Sequence, residues 1–505
     1  MRAFEHIPLG APIPDSPHAV SCSLPTMAAV RGYEEKNPEV TRHLTSGYPR
    51  FVVHPFSRRL AEALASRHGT GGRTLWLASS RPMAADLLAY LNARIPACGA
   101  SAFEGDGVFG VSHPPSPETA QLAKLYLQHV GGFLSSREAE DVLWEIGAGP
   151  LPAPETAVED DAEGEVRRWL EPVFEGAARQ DLMIASCGMN AVHAAFAAVS
   201  EVQAPRGRTA WVQLGWLYLD TIAILRKFTR SPDDYIHLRD VMDTAAVERL
   251  LRGRGTKIAG LVAEIPSNPL VQTPDLAALA SLCREHGVRL VLDPSIASAF
   301  SIDCLPHADL LATSLTKYTG SEGDIVAGAV VVNPSSADAA ALRSAASSHV
   351  EPPYRRDMAR LAAQIPHTRE VLAAIEASTL RVAAFLSGHP AVGSVFWALD
   401  PASRDNYLRL ARHPGATGGV ISFTLRGRID DFYDRLRLPK GPSFGMRTTL
   451  ICPFMYLAHY DLVTSESGRA ELAASGLEPD LLRLCVGVEP AEEIIASLAE
   501  ALAPR

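Results

Sequence analysis

The sequence predicts an α/β protein, with a mostly parallel sheet in a large domain and a smaller α+β domain at the C-terminus. Three observations predict it. The continuous apolar runs LVAEIP, RLVLDP, DLLATSL and AGAVVVN are separated by helical or loop segments such as PDLAALASLCREHG. Uninterrupted apolar strands alternating with helices indicate a parallel sheet covered on both faces. Beyond about residue 340 a long helical stretch leads into the strand-like runs GGVISFTL and TTLICPF, then a final helix, AEEIIASLAEAL. Finally, 505 residues that are 47% hydrophobic and 21% charged suffice for a sizeable core and about three structural units.

Taken in order, residues 1–56 are rich in Pro, Ser and His with little helical period, and predict an extended arm ordered by lying on another surface. In 57–150, helical stretches such as RRLAEALASRHG and ETAQLAKLYLQHV alternate with short apolar runs such as TLWLAS, which predicts a further α/β region. The Pro-rich, then acidic segment GPLPAPETAVEDDAEGEV reads as an exposed connection. The large domain is expected over 151–340 and the small one over 341–505. No internal repeat is visible.

Composition excludes several classes of function. A formal charge of −10 and a pI near 5.9 give no electrostatic reason to expect nucleic acid or an anionic membrane as partner. The N-terminus MRAFEHIPLGAPIPDSP carries no basic segment followed by an apolar one, and no run of 18 apolar residues occurs. The seven cysteines are odd in number, widely spaced and without a CxxC pair, which argues against a zinc site and a disulfide framework. A reducing cytoplasm is the expected location, and no metal is expected.

The strongest chemical signal is Ser314-Leu315-Thr316-Lys317 at the end of the run DLLATSL. Alone, such a lysine is most often a solvated surface group. Upstream, however, Asp293 ends a second apolar strand, RLVLDP, and a carboxylate there points into the ligand crevice of such a sheet. The pair suits pyridoxal phosphate (PLP), which needs a lysine for its imine and an acid to keep its pyridine nitrogen protonated. The hydroxyls of Ser314 and Thr316 can donate to a phosphate. Gly188 and Met189, in SCGMNAVHAAFAAV, open a helix whose N-terminal N–H groups suit the same anion.

These residues carry a resemblance. The run AEIPSNPLVQTPDLAALASLC, then RLVLDPSIASAF, then LLATSLTKYTGSEGDIVAGAVVVN resembles the fold-type-I PLP enzymes of cysteine and methionine metabolism. HAVSCSLPT, GYPRF, LQHVGGFLSSR, GWLYLDTIAIL and LLRLCVGVE narrow it to the cystathionine γ-synthase family, closest to its long fungal-type members. The resemblance spans nearly the whole chain. It implies Lys317 as the Schiff-base lysine and proton carrier, with burial and nearby positive charge lowering its pKa. It implies Asp293 as the pyridinium partner and Gly188, Met189, Ser314 and Thr316 as the phosphate cradle. Asn268 would lie near the cofactor's 3-oxygen and Tyr218 on its ring; Arg483 would bind the substrate carboxylate, with Ser443 beside it. Tyr48 and Arg50 would reach the phosphate of a neighbouring subunit, implying a homodimer or homotetramer with shared sites.

Relative to short family members, a long stretch is inserted between Arg50 and Gly188. Leu219-Asp220 stands where those members carry two glycines, and Pro294 where many carry asparagine. The expected activity is γ-replacement on an activated homoserine ester (O-acetyl, O-succinyl or O-phospho) with cysteine, giving cystathionine for methionine biosynthesis. Capture by sulfide, another thiol or a carbon nucleophile in specialised metabolism, or γ-elimination, are the adjacent readings. A PLP-binding regulator is the non-enzymatic one.

Overall fold

The computed structural model describes residues 4–45 and 53–504. The first helix, α1 (Met27–Glu34), starts where the Thr26 hydroxyl caps the backbone N–H of Ala29. This differs from the expected extended arm. One capped turn-forming segment is hidden among Pro and Ser, and it packs on the chain's own C-terminal part. Leu24, Met27, Val30 and Tyr33 are buried in one apolar cluster with Phe432, Tyr433 and Leu438. Arg31 forms a two-pronged pair with Asp430 at 2.7 and 3.0 Å. Tyr48 and Arg50 lie outside the described residues.

Strand β1 (Thr74–Ala78), helix α2 (Arg81–Arg94), strands β2 (Ser101–Gly105) and β3 (Val108–His113), and helices α3 (Pro117–Val130) and α4 (Ser136–Glu145) follow. The strands form a small antiparallel sheet in the order β1-β3-β2. Helix α3 is bounded by strong local signals. Ser116 caps it, Pro117 occupies its first position, and Gly131 stops it in the left-handed region at φ 68°.

The large sheet contains β4 (Leu182–Ala185), β5 (Ala210–Leu214), β6 (Tyr235–Leu238), β7 (Ile258–Glu264), β8 (Arg289–Asp293), β9 (Leu310–Ser314) and β10 (Gly328–Val332). Helix α5 (Gly188–Gln203) follows β4, and α6 (Leu219–Phe228) follows β5. The strand order is β4-β10-β9-β8-β7-β5-β6. Only β10 runs against its neighbours. Both faces are covered: Val291 and Val330 enter one apolar cluster, while Leu290, Leu292 and Val331 enter another. This double burial is why these strands read as unbroken apolar runs.

After the long helix α7 (Thr368–Gly388), the C-terminal sheet contains β11 (Val392–Trp397), β12 (Val420–Leu425), β13 (Leu450–Pro453) and β14 (Leu482–Cys485). It is antiparallel, in the order β11-β12-β14-β13. β14 is therefore central, and Arg483 on it faces the carboxyl ends of the large sheet.

Candidate active site

A cavity of about 100 Å³ opens outside the carboxyl ends of the large-sheet strands, where ligands bind in sheets of this type. Successive strand ends deliver its walls: Gly188 and Met189 after β4, Tyr218 after β5, Glu264 on β7, Asp293 on β8, and Ser314 and Lys317 at and after β9. The C-terminal sheet and its loops close it with Ser443, Phe444, Cys452, Phe454 and Arg483.

The Lys317 Nζ donates to Ser443 Oγ at 2.7 Å and lies 5.0 Å from the centre of the Phe444 ring. Burial, then the Arg483 charge, lowers its pKa from 10.5 to about 7. An amine in water would be almost wholly protonated at neutral pH; this one is available as a base. The turn that presents it is held firmly. The Tyr318 hydroxyl donates to Ile296 O at 2.8 Å and accepts from Gly419 N at 2.9 Å. The Tyr318 N–H donates to Gly445 O at 2.7 Å. Ser443 sits at φ 90°, a conformation uncommon for a side-chain-bearing residue and concentrated at functional sites.

Asp293 Oδ1 accepts from the Ser295 N–H at 2.9 Å and its hydroxyl at 2.5 Å. Burial nonetheless pushes its carboxyl up to about 6. Glu264, paired across the ladder with Asp293, is also held well above the usual carboxylate range, by burial and then by the Asp293 charge. Glu264 Oε1 accepts the backbone N–H of Tyr218. Sequence reasoning missed Glu264, although the argument made for Asp293, a carboxylate ending a buried strand, applies equally to it.

Arg483 is 7% exposed and lies between two rings, with its Cζ 4.6 Å from the Phe454 centroid and 5.2 Å from that of Phe444. Its Nη1 donates to Asn268 Oδ1 at 3.1 Å and Nη2 to the Ser443 carbonyl at 3.4 Å. These contacts aim the planar fork while cation–π attraction offsets part of its desolvation. Asn268 thus orients the arginine, and the Ser443 side chain meets the lysine while its carbonyl meets the arginine. The two aromatic neighbours carried no recognisable signal in the sequence.

One expected residue is not brought into the cavity. The Thr316 hydroxyl donates to the Ala327 carbonyl at 3.3 Å and accepts the Ala327 N–H at 3.1 Å. It closes the lysine turn against the strand behind it, and Thr316 is not among the residues that line the cavity. Ser314 behaves differently: among the described residues its buried Oγ has no hydrogen-bond partner, and it lines the cavity.

This orphan hydroxyl tests whether the site fits PLP. It faces Gly188, where an added Cβ would lie 2.8 Å from Ser314 Cβ and 3.1 Å from its Oγ. The first N–H groups of the 16-residue helix α5 have no partners within the helix. A hydroxyl donor, a helix N-terminus, an amine and a buried carboxylate make a donor set suited to a phosphorylated pyridine aldehyde. Gly188, Met189 and Ser314 would hold the phosphate, Asp293 the ring nitrogen and Lys317 the aldehyde carbon.

Comparison with known proteins agrees. The family described as Cys/Met metabolism PLP-dependent enzyme matches residues 173–503. An L-2-amino-4-chloropent-4-enoate dechlorinase/desaturase of Streptantibioticus cattleyicolor is 39% identical over 96% of each chain. The cystathionine γ-synthase of Neurospora crassa is 27% identical over 99% of this chain and 98% of its own. Among solved structures, cystathionine γ-synthase of Xanthomonas oryzae pv. oryzae superposes with a TM-score of 0.54 at 23% identity. It covers 66% of this chain and 83% of that one, so it shares the PLP-dependent type I fold.

Proposed function

Because the chain belongs to the family of Cys/Met-metabolism PLP-dependent enzymes, we propose that it expels a leaving group from Cγ of a small α-amino acid. The observation that carries this reading is the meeting, in one cavity, of a buried amine of lowered pKa and an arginine aimed by Asn268. When bound, PLP supplies the electron sink that acidifies the protons on Cα and Cβ. Arg483 receives the α-carboxylate through its two parallel N–H groups and sets which C–H bond faces the lysine. Lys317 Nζ takes the proton from Cα and returns protons along the carbon chain, while Ser443 Oγ holds the amine in place between transfers. The Tyr218 hydroxyl is the candidate donor to the departing group.

Elimination of HX is the first reading, with X a halide or a small acyloxy group. The substrate then leaves with one further unsaturation, as the name of the Streptantibioticus relative describes for its own chlorinated substrate. Among the described lining residues, the cationic side chains are Lys317 and Arg483, and the remaining wall includes Val192, Phe454, Leu457 and Ala458. That wall suits an uncharged γ-substituent, because a charge placed against it would lose hydration uncompensated. The second reading, replacement of X by cysteine to give cystathionine, is supported by similarity to the Neurospora synthase along nearly the whole chain.

A mass-spectrometric screen separates them. Holoenzyme is given 2-amino-4-chloropent-4-enoate, O-acetyl-, O-succinyl- and O-phosphohomoserine, each with and without cysteine. Release of X without cysteine supports elimination, and a thioether formed only with cysteine supports replacement. Consumption of none, or equal consumption by Lys317→Ala, refutes both.

A further inference from the structure

Among the described residues, none of the inserted stretch 57–150 lines the Lys317 cavity. That stretch nevertheless holds the helix on which Tyr218 is mounted. Tyr218 is the N-terminal cap residue of α6, and two positions on, Asp220 is 2% exposed. Its Oδ1 accepts a 2.9 Å hydrogen bond from Nε2 of Gln128, a buried residue in the last turn of α3. At the other end of α6, Lys227 Nζ donates to the Leu125 carbonyl at 3.3 Å, again on α3. Phe228 completes the grip, packing edge-on to Tyr126 with centroids 6.1 Å apart and against Tyr90 of α2 at 6.4 Å.

We propose that the inserted region is a buttress for the active-site tyrosine, and that Gln128 is a positioning residue acting on Tyr218 through Asp220. The physical case has three parts. A carboxylate in the first turn of a helix is favoured by the N–H groups there, which ties Asp220 to the start of α6. Gln128 fills one of the acceptor sites of that buried carboxylate, with His129 Nε2 3.7 Å from the same Oδ1, so removing Gln128 shifts the carboxylate toward its other neighbours. Tyr218 is anchored beside this turn by its N–H bond to Glu264, so a tilt of the first turn moves the ring within the cavity. Asp220 supplies the carboxylate that the buttress grips.

The test uses full-length protein and reads the cofactor as well as turnover. Gln128→Leu is compared with wild type for PLP affinity of the apoprotein, for the visible circular dichroism of the bound cofactor, and for kcat and KM. Misplacing the ring is expected to weaken PLP about fivefold and to lower kcat about tenfold with KM little changed. In a Tyr218→Ala background the same substitution should change neither the affinity nor the dichroism further, because residues acting through one another are non-additive. Equal losses in both backgrounds, or a wild-type result, overturn the proposal. Lys227→Met loosens the other end of the same helix and decides the matter where Gln128→Leu does not fold; its loss must also vanish with Tyr218→Ala. The PLP titration and dichroism stand even if no substrate in the screen is consumed, which separates failure here from failure of the proposed reaction.

Discussion

The amine of Lys317 shows how far a single residue can be read. Its type and its place after an apolar strand were legible, but its proton affinity depends on its burial in the folded cavity and on Arg483, more than a hundred residues away in the chain. An ordinary lysine near 10.5 and a native one near 7 have a definite consequence. Between those values the unfolded chain holds a proton that the native chain does not. Burying this group therefore costs the apoprotein stability in full below about 7, and the cost falls away as pH rises toward 10.5. The same shift governs cofactor capture, since only the neutral amine attacks an aldehyde. The rate at which apoprotein takes up PLP, followed by absorbance, should rise with pH through a midpoint near 7. A midpoint near 10 would contradict the burial argument. Glu264 makes the opposite point. Its strand-end position was visible, but its pairing with Asp293 follows only from the ladder that places the two side by side.

Between Gly188 at the start of α5 and Ser314 at the end of β9, two elements close on one small space. Both were legible as elements, because a Gly-turn before a small-residue helix and an apolar run before a lysine are local patterns. That they touch is a product of sheet order, with β10 alone between β4 and β9. Adding a methyl at Gly188 would place carbon 2.8 Å from Ser314 Cβ, which forces the cradle apart. Gly188→Ala is expected to weaken PLP binding at least about tenfold, a loss near 1.4 kcal/mol, while the melting temperature of the apoprotein shifts little. A fluorescence titration with PLP checks the first and calorimetry the second. Thr316 is placed differently from Ser314 for an element-level reason. Two positions after Ser314 the turn has rotated, and the hydroxyl meets Ala327 instead of the cavity.

Across the whole molecule, Arg137 joins parts that the sequence presents as separate. It is 1% exposed on α4, within residues 57–150. It donates to the Asp324 carbonyl at 2.9 Å in the loop after Lys317, to Asp357 at 3.1 Å, and to Glu155 in the Pro-rich connection. Burial opposes the Glu155 charge, yet Arg137 holds that carboxyl down at about 2. The connection that read as an exposed linker is therefore pinned at Glu155 by an ion pair. Arg137→Met removes the guanidinium and leaves Glu155 and Asp357 short of their shared partner, a loss of about 3 kcal/mol. Chemical denaturation should show a lowered midpoint for the loss of the PLP band, and an unchanged midpoint would refute this role.

The sequence by itself determined the apolar strands of the large sheet, its principal helices, and the placing of Lys317 and Asp293 at strand ends, because these depend on local hydrophobic period, caps and strand-end positions carried by adjacent residues. Tertiary structure decided the rest: that α1 lies on its own C-terminal domain, that Phe444 and Phe454 flank Arg483, that Ser314 faces the cavity while Thr316 does not, and that the inserted region reaches α6 through Gln128. Each is a contact between residues far apart in the chain. Their energies come from burial and geometry that exist only once the sheets have formed, so no local pattern announces them.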